Sequence, residues 1–106
     1  MANPERMQQL KEILAQDPAN VLARYALGME LSGAGEVDAA VAEFETLVGK
    51  NPDYANAYFM AAQALAGAER KDEARAWLQR GLQAAQRSGN QHAASEMQGM
   101  LDELDF

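Results

Sequence analysis

The chain has 106 residues, nearly half of them hydrophobic and about a quarter charged, with a net charge of −7 and no cysteine. This is the size and composition of one ordinary globular domain. The acidic balance argues against a phosphate-backbone partner, and the lack of cysteine removes disulfides and thiolate metal sites.

Met1-Ala2-Asn3-Pro4-Glu5 has neither a basic start nor an apolar run, so no signal peptide is expected. Tyr54 to Ala68, the longest charge-free stretch, contains Asn56 and Gln63 and is too short for a bilayer span. A cytoplasmic protein with no membrane partner is the expectation. The first helix, over residues 4–17, opens well: Asn3 suits a cap, Pro4 the first helical position, and Glu5 the positive end of the dipole. Met7, Leu10, Ile13 and Leu14 form its apolar face. Asp17-Pro18 stops it, because the residue before a proline is pushed out of the helical region.

A second helix runs from about Asn20 to Ser32 with Ala23, Leu27 and Leu31 inward, and Gly33-Ala34-Gly35 breaks it. The third, about Glu36 to Gly49, has the cleanest stripe in the chain: Val37, Ala40, Val41, Phe44, Leu47 and Val48. Lys50-Asn51-Pro52-Asp53 turns into a fourth helix, about Tyr54 to Ala66, which is rich in alanine. The fifth takes Lys71 to Arg87, with Ala74, Trp77, Leu78 and Leu82 inward and Gly89 as its C-terminal cap. The sixth, Gln91 to Leu104, sets Met97, Met100, Leu101 and Leu104 on one face against a polar Gln91, Ser95, Gln98 and Asp102.

The middle of the chain repeats at a period of about 34 residues. Pro18 pairs with Pro52, Ala23 with Ala57, Tyr25 with Phe59, Leu31 with Leu65, Ala40 with Ala74, and Phe44 with Leu78. In the other direction, Leu10, Ile13 and Leu14 fall under Phe44, Leu47 and Val48. Leu27-Gly28, Leu31, Ala40, Phe44 and Pro52 together resemble the signature of the tetratricopeptide repeat, with Arg24 standing where that signature opens on an aromatic. The second repeat departs further, with Ala61-Ala62 for Leu-Gly and Gln86 for the closing proline. The resemblance implies an all-α solenoid of antiparallel helix pairs, about six helices in a single domain, residues 1–106. Residues 4–17 form an N-terminal capping helix, 21–53 repeat 1, 54–88 repeat 2, and 90–104 a C-terminal capping helix.

Charge is unevenly spread, at −5 over residues 1–53, +2 over 54–90 and −4 over 91–106. The bases Arg70, Lys71, Arg75, Arg80 and Arg87 belong to one helix and its entry. They make either a solvated face or a partner for the acidic last helix. The tail Asp102-Glu103-Leu104-Asp105-Phe106 is also a candidate ligand for the chain's own groove.

The only histidine, His92, has Ser95 and Glu96 within a turn, but no second His, Cys or glycine-rich loop completes a catalytic or metal constellation. No cofactor and no enzymatic activity are expected. A small enzyme or metal protein using His92 is the remote alternative. In the family that this chain resembles, the first helix of each repeat lines a concave groove for a peptide or helix. The corresponding places are Leu22, Tyr25, Ala26, Met29 and Ser32 in repeat 1 and Asn56, Phe59, Met60, Gln63 and Ala66 in repeat 2, of which Leu22, Tyr25, Met29, Asn56, Phe59, Met60 and Gln63 are the expected partner contacts. Tyr25 and Met29 stand where members that clamp a chaperone's C-terminal carboxylate carry Lys and Asn, so that activity is not implied. The reading is a protein–protein interaction module or scaffold taking an amphipathic helix or extended apolar segment. Self-association, as a groove-mediated homodimer or by head-to-tail stacking, is the alternative.

Overall fold

Asparagine side chains open three of the helices. Asn3 accepts from the Arg6 amide at 3.1 Å, Asn20 from Ala23 at 2.9 Å and Asn90 from Ala93 at 3.1 Å, each satisfying a backbone donor that the first helical turn leaves unpaired. The computed structural model describes residues 3–105, which form six helices and no strand. They are α1 (Pro4–Gln16), α2 (Val21–Gly33), α3 (Val37–Lys50), α4 (Ala55–Gly67), α5 (Lys71–Ser88) and α6 (Gln91–Leu104). Every helix foreseen from the periodicity is present, with ends displaced by at most about one residue. Phe106, the end of the acidic tail, lies outside the described residues. The part of that tail that is described continues α6, and Arg75 holds it: Nε donates to Asp105 at 3.0 Å and Nη2 to the Leu104 carbonyl at 3.2 Å.

Consecutive helices pack as antiparallel neighbours, as short connections require. In addition, α2 meets α4 and α4 meets α6, whereas α1, α3 and α5 do not meet one another. The α2–α4–α6 layer therefore lies on the inside of the bend, and the other three helices splay apart outside it. Long side chains bridge that outer gap. Arg80 pairs with Glu45 at 2.7 Å, Arg70 with Asp38 at 2.7 Å, and Arg87 with Asp53 at 2.6 Å. The basic helix thus spends three arginines on the preceding repeat, and only Arg75 reaches the acidic C-terminal helix. These pairs are exposed and contribute little stability each.

The core runs continuously through the stack. Phe44 is fully buried, and its ring fills the space over Gly28, where a β-carbon would come within 2.7 Å of it. Glycine in mid-helix lowers helix propensity; here it admits a phenyl ring between α2 and α3. Gly81 does the same for α6, because a β-carbon there would collide with the Met97 sulfur and lie 2.8 Å from the Tyr58 β-carbon. Tyr58, Ala84 and Ala85 also belong to the core, beyond the stripes read from the sequence. One residue of those stripes is misplaced: Ile13 is 44% exposed, although its repeat counterpart Leu47 is buried. The cause is the missing neighbour, since α1 packs on α2 alone while α3 is held between α2 and α4.

Candidate functional site

The inner layer presents one surface along α2, α4 and α6, and the seven sequence-derived positions are spread over its first two helices. Leu22 is 75% exposed and Met29 37%, unusual values for large apolar side chains in a folded domain. Tyr25 is half-buried, its ring 6.0 Å from that of Phe44 and 5.6 Å from that of Tyr54. Burial, and secondarily Tyr54, pushes its phenol pKa up, so it remains a neutral hydroxyl. Phe59 and Met60 are half-buried against the core, and Asn56 and Gln63 are exposed.

Two hollows meet at Gln63. One, of about 560 Å³, lies between α4 and α6 and is lined by Phe59, Gln63, Ala66 and Gly67 on one side and Ser95, Glu96, Gly99, Met100 and Glu103 on the other. The second, of about 420 Å³, is lined by Ser32, Gly35, Val37, Gln63, Ala64, Gly67 and Ala68 at the ends of α2 and α4. Of these seven positions, Phe59 and Gln63 line the larger hollow. Leu22, Tyr25, Met29, Asn56 and Met60 line neither.

The sequence places Ser95 on a polar face of the last helix, and that face is exposed; the part that Ser95, Glu96, Gly99 and Glu103 play as a wall opposite α4 is not legible in that pattern. α6 stands beside α4 as a third inner helix and leaves the hollow open between them. The signal was an altered period. With Gln86 in place of the closing proline, α5 runs on to Ser88, so α6 begins 36 residues after α4 instead of about 34. At that offset Ala57, Ala61 and Leu65 match Ala93, Met97 and Leu101, and the groove places Phe59, Met60 and Gln63 match Ser95, Glu96 and Gly99.

His92 lies at the edge of this wall, its side chain 88% exposed and Nε2 3.2 Å from the Glu96 carboxylate. Among the described residues there is no group of three or more His, Cys, Asp or Glu placed to hold a metal ion, and no helix long and apolar enough to cross a membrane.

An all-α helical repeat with an inner layer of first helices is the architecture in which stacked repeats form an extended concave surface for protein partners. The comparisons agree with it. The family model described as tetratricopeptide repeat matches residues 25–90. A solution structure of a protein from Bordetella parapertussis is 30% identical over 99% of this chain and 90% of its own, with a TM-score of 0.81. A solution structure of a tetratricopeptide repeat domain protein from Salinibacter ruber is 30% identical, covering 82% of this chain and 88% of that one, with a TM-score of 0.74. MamA, at 21% identity and a TM-score of 0.61, shares the fold over 93% of this chain and 65% of its own. A search of curated proteins finds no match. The chain belongs to the tetratricopeptide repeat family.

Proposed function

We propose that residues 1–106 act as one non-enzymatic, cytoplasmic protein–protein interaction module that takes an apolar segment of a partner along the inner layer. Leu22, Tyr25 and Met29 supply anchors at one end and Phe59 and Met60 at the other, while Asn56 and Gln63 hydrogen-bond the ligand backbone. The observation that carries this reading is the exposure of Leu22 and Met29 on the layer that also opens the hollow beside Phe59. Apolar surface that the core does not use favours association, and methionine and aromatic side chains suit adaptable contacts.

Peptides selected from a random library on the wild-type chain test it. Their binding should be lost on Leu22→Glu plus Met29→Glu and weakened by Phe59→Ser, with helical content unchanged in the first variant because both side chains are already exposed. Selected peptides that bind all variants equally would remove the inner layer as the binding face. A second reading, self-association, has the exposed Ile13 on the open side of α1 in its favour. Light scattering across a wide concentration range decides it, since a monomer throughout disposes of a homodimer.

A further inference from the structure

Charge is sorted between the two layers. α4 carries no Asp, Glu, Lys or Arg, and α6 carries three acids and no Lys or Arg. The only Lys or Arg on an inner helix is Arg24, and it is turned away toward α3, with Nη1 2.8 Å from Glu43 and Nη2 donating to the Pro18 carbonyl at 3.0 Å. The hollow between α4 and α6 therefore has an apolar lining, Phe59 and Met100, and an acidic edge, Glu96 and Glu103. Glu96 has only the exposed His92 as ionic partner among the described residues, and Glu103 has none. Gly99 lies in the same wall. A β-carbon there would meet nothing within 4 Å, so core packing does not require this glycine as it requires Gly28 and Gly81, although glycine inside a helix is destabilising relative to alanine. It lines the hollow, and a side chain in its place would project into open space.

We propose that the α4–α6 hollow takes a cationic amphipathic segment of a partner protein, its apolar side chains on Phe59 and Met100 and its Lys or Arg side chains over Glu96 and Glu103. This rests on the interaction-module reading above and adds the chemistry of the occupant. Charge complementarity selects that occupant. An acidic segment would bring like charges onto an edge that has no lysine or arginine, and like charges juxtaposed at an interface are strongly disfavoured. A second copy of this chain is a poor source of the cations, because its arginines are each held in an ion pair and its three lysines, Lys11, Lys50 and Lys71, lie on three different helices, so no one segment of the described residues brings two unpaired cations to the edge. The helix-in-groove mode supplies the apolar register, with anchors three and four residues apart.

The test uses the full chain and two short fluorescent peptides, one of leucine and lysine at helical spacing and one with glutamate replacing every lysine. Fluorescence anisotropy gives affinity, amide NMR shifts give location, and light scattering gives mass. The expected result is about tenfold or greater preference for the lysine peptide, with shifts at Phe59, Gln63, Ser95 and Gly99. Glu96→Gln plus Glu103→Gln should weaken that peptide about threefold to tenfold and flatten its salt dependence. Gly99→Leu should block it with the thermal transition unchanged or raised. Equal binding of the two peptides at these amides would overturn the cationic occupant and leave the groove reading standing. Shifts from neither peptide at these amides would overturn the hollow as a binding site, whereas the wider inner-layer reading falls only if binding survives Leu22→Glu plus Met29→Glu. A wild-type dimer that the lysine peptide dissociates would assign the hollow to a second copy instead.

Discussion

Arg24 in the first repeat and Tyr58 in the second occupy equivalent places, and both donate to the carbonyl of the proline six residues earlier. Arg24 Nη2 reaches Pro18 at 3.0 Å, and Tyr58 Oη reaches Pro52 at 2.6 Å. Their cross-helix partners are equivalent as well. Arg24 pairs with Glu43 at 2.8 Å, whereas the Tyr58 ring packs 6.0 Å from Trp77, with the Arg80 guanidinium 4.4 Å from the Trp77 ring centroid. What this position must do is tie the first helix to the proline turn and to the second helix. A half-buried ion pair does it in one repeat and an aromatic pair in the other. Where repeat 1 has Gly28 under the Phe44 ring, repeat 2 has Ala62 and Leu78 in the equivalent places, both fully buried, alanine being larger than glycine and leucine smaller than phenylalanine. The turns differ too: Gly35 takes the left-handed backbone at φ 79°, while Glu69 holds it at φ 63° in the second repeat.

The largest effects come from breaking the floor-and-ring match. Phe44→Ala should cost about 3–5 kcal/mol, a large part of a stability of about 5–15 kcal/mol; an unchanged melting temperature would contradict the packing. Sharper is the exchange that gives repeat 1 the chemistry of repeat 2. Gly28→Ala alone overpacks the ring by about 1–3 kcal/mol, and Phe44→Leu alone opens a gap. The double variant should be more stable than the sum of the two losses predicts, by about 0.5–3 kcal/mol. Strict additivity in chemical denaturation would show that the two sites do not compensate.

Next in size is the ion pair. Arg24→Ala leaves Glu43 half-buried without its partner and should cost about 1.5–3 kcal/mol. Adding Glu43→Ala should recover part of that loss, since the stranded charge is then gone. Glu69→Gly, which copies Gly35, should stabilise by about 0.5–1 kcal/mol, as the left-handed conformation strains a residue with a β-carbon; destabilisation would mean that Glu69 is held by something other than the turn.

The smallest effect is the pH response of the outer bridges. The hydrogen bond from Arg80 holds the Glu45 carboxyl below its ordinary 4.5, against a smaller opposing effect of burial. A depressed folded-state pKa gives stability that is fully present above the ordinary value and is lost as pH falls through the lowered one. Glu45→Gln should therefore cost less than about 1 kcal/mol at neutral pH, since the pair is largely exposed. Its difference from wild type should vanish in acid once Glu45 is protonated. A difference that persists in acid would mean the side chain acts by packing and not by charge.

By itself the sequence determined the six helices, the family and the order of the stack, because helical periodicity and turn residues are local and the repeat writes each of them more than once. Asn20, Gly28, Phe44 and Pro52 could be placed from spacing alone. Tertiary structure decided what a side chain has on its far side. Ile13 matches Leu47 in pattern yet lies open, since among the described residues α1 packs on α2 alone, and Gly81 admits Met97 from a helix outside the 34-residue register. The same applies to the candidate site. The candidate positions on α2 and α4 follow from the repeat, but the wall of Ser95, Glu96, Gly99 and Glu103 on α6 depends on how far α5 runs past Gln86. That length sets the rotation at which α6 docks, and rotation about a helix axis, not composition, decides which face of α6 closes the core and which faces the hollow.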